Sequence, residues 1–103
     1  MVENTFGIKH IVIESTAKCY CPLGQDWYTN QFYVDFVPGA FIPDYCEMDN
    51  WIATNINGKS MIIEQAVAML YEYLRDTYKP ADLNVESYVD DATHSAVTVS
   101  RGN

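Results

Sequence analysis

The chain is poor in cations. Six Lys and Arg stand against 14 Asp and Glu among 103 residues, a formal net charge of −8. Binding to nucleic acid needs cations that displace phosphate counterions, so nucleic acid is not an expected partner, and neither is an anionic membrane surface. Long apolar runs are missing too, and none approaches the roughly 20 residues that span a bilayer. The start, Met1-Val2-Glu3-Asn4, lacks the basic residues and apolar stretch of a secretory signal, and the expected location is the cytoplasm. Cysteine is scarce and odd in number (Cys19, Cys21, Cys46), which argues against a disulfide framework. The two histidines, His10 and His94, lie far apart, so few residues remain for metal ligation or histidine-based catalysis.

Apolar residues are plentiful, at 49%, with 2 Trp, 8 Tyr and 4 Phe. Disordered chains lack both, so the chain is expected to fold, as one domain over residues 1–103. Ile8 to Ala17 is rich in β-branched residues and reads as a strand, with Ile11 and Ile13 on one face and His10, Val12 and Glu14 on the other. Pro22 and Gly24 place a loop over Cys19 to Gln25. Trp27 to Val37 alternates Phe32, Val34 and Phe36 with Gln31, Tyr33 and Asp35, the period of a half-buried strand. Asp44 and Glu47 have the spacing of a capping box and open a helix over Tyr45 to Asn55, which Asn57-Gly58 ends. Ile63, Ala66, Val67, Leu70, Leu74 and Tyr78 form one apolar stripe on a helix over Met61 to Tyr78, stopped by Pro80. Two alternating strands follow, Leu83 to Val89 and Ser95 to Ser100, joined by the turn Asp90-Asp91-Ala92-Thr93.

The order ββααββ implies an α+β fold, a four-stranded antiparallel sheet with two helices on one face. Such a sheet leaves two edges open, and a homo-oligomer joined through its sheet edges would cover them.

Four stretches accompany this order: Leu23-Gly24-Gln25-Asp26-Trp27-Tyr28, Pro43-Asp44-Tyr45-Cys46-Glu47-Met48, Ser60-Met61-Ile62-Ile63-Glu64-Gln65-Ala66-Val67-Ala68 and Val89-Asp90-Asp91-Ala92-Thr93-His94-Ser95-Ala96. Together they resemble the tunnelling fold (T-fold), whose members include 6-pyruvoyl- and 6-carboxytetrahydropterin synthases, dihydroneopterin aldolases, GTP cyclohydrolases and 7-cyano-7-deazaguanine reductases. The first is similar to the synthases' Leu-His-Gly-His-x-Tyr, the second to Val-x-Asp-Phe-x-x-Leu, the third to the helix start Pro-Thr-x-Glu-Asn-Leu-Ala, and the fourth to Glu-Thr-Pro-Thr-x-x-Ala. The synthases hold zinc with three histidines. Gly24 and Asp26 stand at the His-x-His positions here, and Ala17 or a neighbour at the third, so the resemblance implies a divergent synthase-like protein without the zinc reaction. The family's Asp-His pair has no counterpart in Thr54 to Ser60. The aldolases' Leu-Ile-Glu resembles Ile62-Ile63-Glu64, with Lys59 and Tyr28 as the nearest acid-base pair. The nitrile reductases' Cys-Pro-x-x-Gly-Gln resembles Cys21-Pro22-Leu23-Gly24-Gln25, one residue shorter, with Cys21 matching their nucleophile. Their lysine-rich dinucleotide-binding run falls at Glu47 to Thr54, which has no Lys or Arg, and no cofactor is expected.

The resemblance implies that Glu64, near a helix start, accepts two hydrogen bonds from the N–H and amino edge of a pterin or purine-like heterocycle at a subunit interface. A carboxylate is a planar bidentate acceptor, and a helix N-terminus favours its charge. Asp90 and Thr93 offer a second acceptor and a backbone N–H to the same ligand, and Cys21 is the candidate catalytic nucleophile. Each has a plain structural explanation as well: a solvated first-turn acid, a local turn and an unreactive thiol. The expected protein thus binds a pterin or deazapurine-type heterocycle. If it is an enzyme, the expected activity is metal-free and lyase-type. The alternatives are a non-catalytic structural or regulatory oligomer and an aldolase-like or nitrile reductase-like enzyme.

Overall fold

A computed structural model describes residues 1–102. The elements run β1 (Val2–Glu3), β2 (Ile11–Cys21), β3 (Asp26–Val37), β4 (Phe41–Ile42), α1 (Tyr45–Asn55), α2 (Ile63–Tyr78), β5 (Asp82–Val89) and β6 (Val97–Gly102). The main sheet is antiparallel with order β2-β3-β5-β6, and β1 pairs with β4 in a separate two-stranded ribbon. This is the expected four-stranded α+β arrangement, with the helices on one face. Among the described residues, no helix is long and apolar enough to cross a membrane.

Alternation sets the two faces of the sheet. Ala17, Cys19, Tyr28, Phe32, Val34, Phe36, Leu83, Val85 and Val89 are buried under the helices. Their neighbours Glu14, Thr16, Gln31, Tyr33, Glu86 and Tyr88 point to the other, polar face. The α2 stripe is buried along its whole length and lies over β5 and β6. Burying a leucine of this stripe, such as Leu70 or Leu74, is worth about 1.5–3 kcal/mol.

The helix ends follow local chemistry. Asp44 caps α1 by accepting from the Glu47 N–H at 3.0 Å. Glu47 does not return the bond to the cap. Its carboxylate instead accepts from the Tyr78 hydroxyl at 3.0 Å and the Tyr73 hydroxyl at 3.4 Å, tying α1 to α2. At the far end of α2, Lys79 adopts a left-handed conformation (φ 50°) and its N–H returns to the Arg75 carbonyl. A Cβ at Gly39 would stand 2.8 Å from the Lys79 carbonyl oxygen, so that crossing requires glycine.

Several boundaries differ from expectation. β2 begins at Ile11 and runs on through Cys21, so Cys19 and Cys21 belong to the strand and not to the loop. Ala17 and Cys19 continue the inward alternation, and the hairpin turn is only Pro22 to Gln25, with Gln25 in the left-handed region (φ 54°). α2 starts two residues later than the sequence suggests, and β6 is shifted toward the C-terminus.

The ladder phase shows which backbone groups the sheet leaves unpaired. Gly58, Lys59 and Met61 bond the outward groups of Lys18 and Tyr20. The outward N–H and C=O groups of β2 therefore sit on its even-numbered residues, and Val12, Glu14 and Thr16 carry open ones. Carried through the registers, the same alternation turns those of Thr98 and Ser100 outward on β6.

Candidate functional site

Cys21, Asp90 and Thr93 gather at one end of the sheet. Cys21 and Asp26 form the last rung of the β2–β3 ladder, so their side chains share the helix-side face. The turn after Cys21 is tight: the Gln25 N–H donates to the Cys21 carbonyl at 2.8 Å, and the Gly24 N–H donates to Cys21 Sγ at 3.4 Å. The loop from Asp90 to Ala96 folds onto the same end. A Cβ at Gly24 would lie 3.7 Å from Thr93 Oγ1 and 3.9 Å from Cys21 Sγ, so Thr93 and Cys21 meet over that glycine. Asp90 accepts from Gln31 Nε2 at 3.2 Å, and Asp91 accepts from the Thr29 N–H at 2.9 Å, in the ladder position just beyond the end of β5.

Partial burial pushes the Asp91 carboxyl up, but the Thr29 hydrogen bonds, its own N–H and the Lys18 charge outweigh it and hold the group below the usual aspartate range. Asp91 was not among the residues expected to act, because its bond to a distant strand leaves no local signal.

Glu64 stands exposed in the first turn of α2 and makes no hydrogen bond or ion pair among the described residues. The connector before it is tightly held. Lys18 N–H donates to Asn57 Oδ1 at 2.9 Å, Tyr20 exchanges bonds with Lys59 and Met61, and Cys19 Sγ donates to the Ile56 carbonyl at 3.3 Å. Tyr28, a candidate acid-base or stacking residue in the sequence, is only 1% exposed, and its hydroxyl donates to the Met61 carbonyl at 2.6 Å. Burial, then the neighbouring Cys19 thiol, push the phenol far up, and the hydroxyl that the aldolase resemblance pairs with Lys59 is bonded to Met61 instead. Cys19 is fully buried, and burial pushes its thiol up.

A buried polar chain lies behind this end. Ser87 Oγ donates to Asn30 Oδ1 at 2.9 Å, and Asn30 Nδ2 reaches the Ala17 carbonyl at 3.2 Å and Cys19 Sγ at 3.5 Å. A cleft of about 630 Å³ lies elsewhere, along the open edge of β2. Glu14, Ser15, Thr16, Asp49, Ile52 and Asn57 help line it, and none of Cys21, Glu64, Asp90 or Thr93 does. His94 bonds its neighbour's carbonyl at 2.7 Å, and His10 pairs with Asp35 at 3.1 Å. Among the described residues, no three His, Cys, Asp or Glu side chains converge as a metal site.

The sequence matches no protein-family model and no curated protein. Among solved structures, the crystal structure of the archaeosine synthase QueF-Like in the apo form superposes with a TM-score of 0.78 over 94% of this chain and 95% of that chain, at 13% sequence identity. At that identity the likeness carries the architecture and not the activity. This chain has the tunnelling fold.

Proposed function

We propose that this protein binds a planar deazapurine-type heterocycle at a boundary between subunits, with Glu64 as its anchor and Cys21 as a nucleophile toward an electrophilic carbon on the ring. The observation that carries the reading is the last rung of the β2–β3 ladder, where Cys21 and Asp26 stand side by side, next to Tyr20 and Tyr28, to which the connector leading into α2 is bonded through Met61. The Cys-Pro-Leu-Gly-Gln stretch and the archaeosine synthase neighbour favour a deazapurine over a pterin.

The chemistry follows from the groups present. Glu64 accepts two N–H bonds from the ring edge, a pairing stronger than neutral hydrogen bonds. With a nitrile on the ring, the Cys21 sulfur adds to the nitrile carbon. A carbon–sulfur bond forms, one carbon–nitrogen π bond opens, and the thiol proton is passed to nitrogen through the Asp26 carboxyl. No electrons are gained or lost overall. Asp90 and Thr93 rim the same end. The open edges of β2 and β6 join neighbouring chains, so that a second subunit closes the pocket over Glu64.

Thermal-shift measurement with 7-cyano-7-deazaguanine and with a 6-substituted dihydropterin tests the reading. At a hundredfold excess over Kd, the deazaguanine should stabilise the chain by about 2.7 kcal/mol, several degrees in Tm, and Glu64→Ala should abolish the shift. Intact-mass analysis should find one ligand adduct that Cys21→Ala lacks. Stabilisation by the pterin alone moves the assignment to the synthase branch, and stabilisation by neither compound refutes heterocycle binding.

A further inference from the structure

We propose that Tyr28 is a positioning residue whose buried hydroxyl sets where Glu64 stands, an inference that rests on the anchor role of Glu64 given above. A helix start is ordinarily held by a side-chain cap, as Asp44 holds α1. α2 has none, because its N-cap is Ile62, whose side chain offers no acceptor. The first turn of α2, which carries Glu64, must therefore be fixed from outside. The preceding connector supplies that fixing. Its early part is bonded by Cys19 at Ile56 and by Asn57 at Lys18. Its last residue, Met61, is bonded on both backbone groups: its N–H donates to the Tyr20 carbonyl at 3.0 Å, and its carbonyl accepts from Tyr28 at 2.6 Å. Met61 stands three residues before Glu64, less than one helical turn away.

The residue type supports the same point. Tyr28 is buried among core residues, beside the Cys19 thiol and the Asn30 amide, where phenylalanine would fill nearly the same space. A buried hydroxyl costs free energy unless it is bonded, and here the proton goes to the Met61 carbonyl in the short 2.6 Å bond. The phenol ring is held by its β3 position opposite Cys19, and its hydroxyl carries that rigidity to the helix start. The sheet thus registers the anchor carboxylate against the Cys21 end.

The experiment compares wild type, Tyr28→Phe, Glu64→Gln and the double variant for 7-cyano-7-deazaguanine affinity, with exchange of the hydrogen-bonded amides of Met61, Ala66 and Val67 as a second readout. Tyr28→Phe should raise Kd roughly tenfold, the loss of one well-placed hydrogen bond, and speed exchange at those three amides. It should add nothing to Kd in the Glu64→Gln background. Tyr78→Phe, which loses a buried tyrosine hydroxyl bonded to Glu47 at the other end of α2, is the structural control and should lower Tm with Kd unchanged. Equal Kd for wild type and Tyr28→Phe, or the same fold-loss in both Glu64 backgrounds, overturns the positioning role while leaving the binding reading intact. Absence of any wild-type binding removes the binding reading instead, and unaltered exchange in Tyr28→Phe then overturns the positioning role independently.

Discussion

Asn30 and Ser87 are the two fully buried polar residues of the core among the described residues, and their bond allows a quantitative test of how this sheet is held. Ser87 Oγ donates to Asn30 Oδ1 at 2.9 Å, and the Asn30 amide nitrogen reaches the Ala17 carbonyl at 3.2 Å. Ser87→Ala removes the donor and leaves a buried amide oxygen unmatched, which costs about 1–3 kcal/mol. Asn30→Leu keeps the volume roughly constant but strands the Ser87 hydroxyl and loses the bond to β2, a cost of about 2–3 kcal/mol on the same scale. The double variant leaves neither of the pair unmatched, so its cost should fall short of the sum by about 1–2 kcal/mol, the coupling expected of residues in one network. Urea unfolding monitored by circular dichroism reads this as a shift in midpoint at constant slope. Strict additivity of the two single variants would refute the claim that this bond links β3 to β5 through the core.

Two further outcomes follow from the edges and the loop. Thr98→Pro removes an N–H that points away from β5, so each chain should stay folded by circular dichroism. Sedimentation should show the proposed oligomer falling toward the 11.7 kDa single chain; an unchanged mass means that β6 is not the joining edge. Asp91 is held below its ordinary range despite partial burial, chiefly by Thr29. A depressed carboxyl stabilises the fold above its unfolded value of about 3.9 and loses that contribution as pH falls through the folded value. Asp91→Asn should therefore flatten the acid limb of a urea-midpoint profile below about pH 4, and an unchanged limb contradicts this origin for the shift.

Elements with a strong period were legible in the sequence. The α2 stripe and the β3 alternation announce their buried faces, and the Asp44 cap fixes the first residue of α1. The β1–β4 ribbon was not legible, since two-residue strands have no period to read. Cys19 to Cys21 was misread because Pro22 and Gly24 signal a loop without saying where it starts, and only the ladder opposite Asp26 to Tyr28 extends the strand. Around the site, the sequence pointed to Cys21, Glu64, Asp90 and Thr93, but not to their neighbours. The contact of Thr93 with Gly24 and the bond from Thr29 to Asp91 join residues some 60 or more positions apart, and no local pattern encodes such pairs. Tyr28 was readable as an aromatic on β3, whereas its hydroxyl's partner depends on the path of a connector that begins some 30 residues later.

The unsatisfied groups along both rims of the sheet belong to residues whose side chains all face away from the helices. Any strand that docks at either rim can therefore only widen the layer, leaving its bare side as uncovered as before. With Glu14, Glu86, Tyr33 and Tyr88 on that side, water remains its natural covering however many copies assemble.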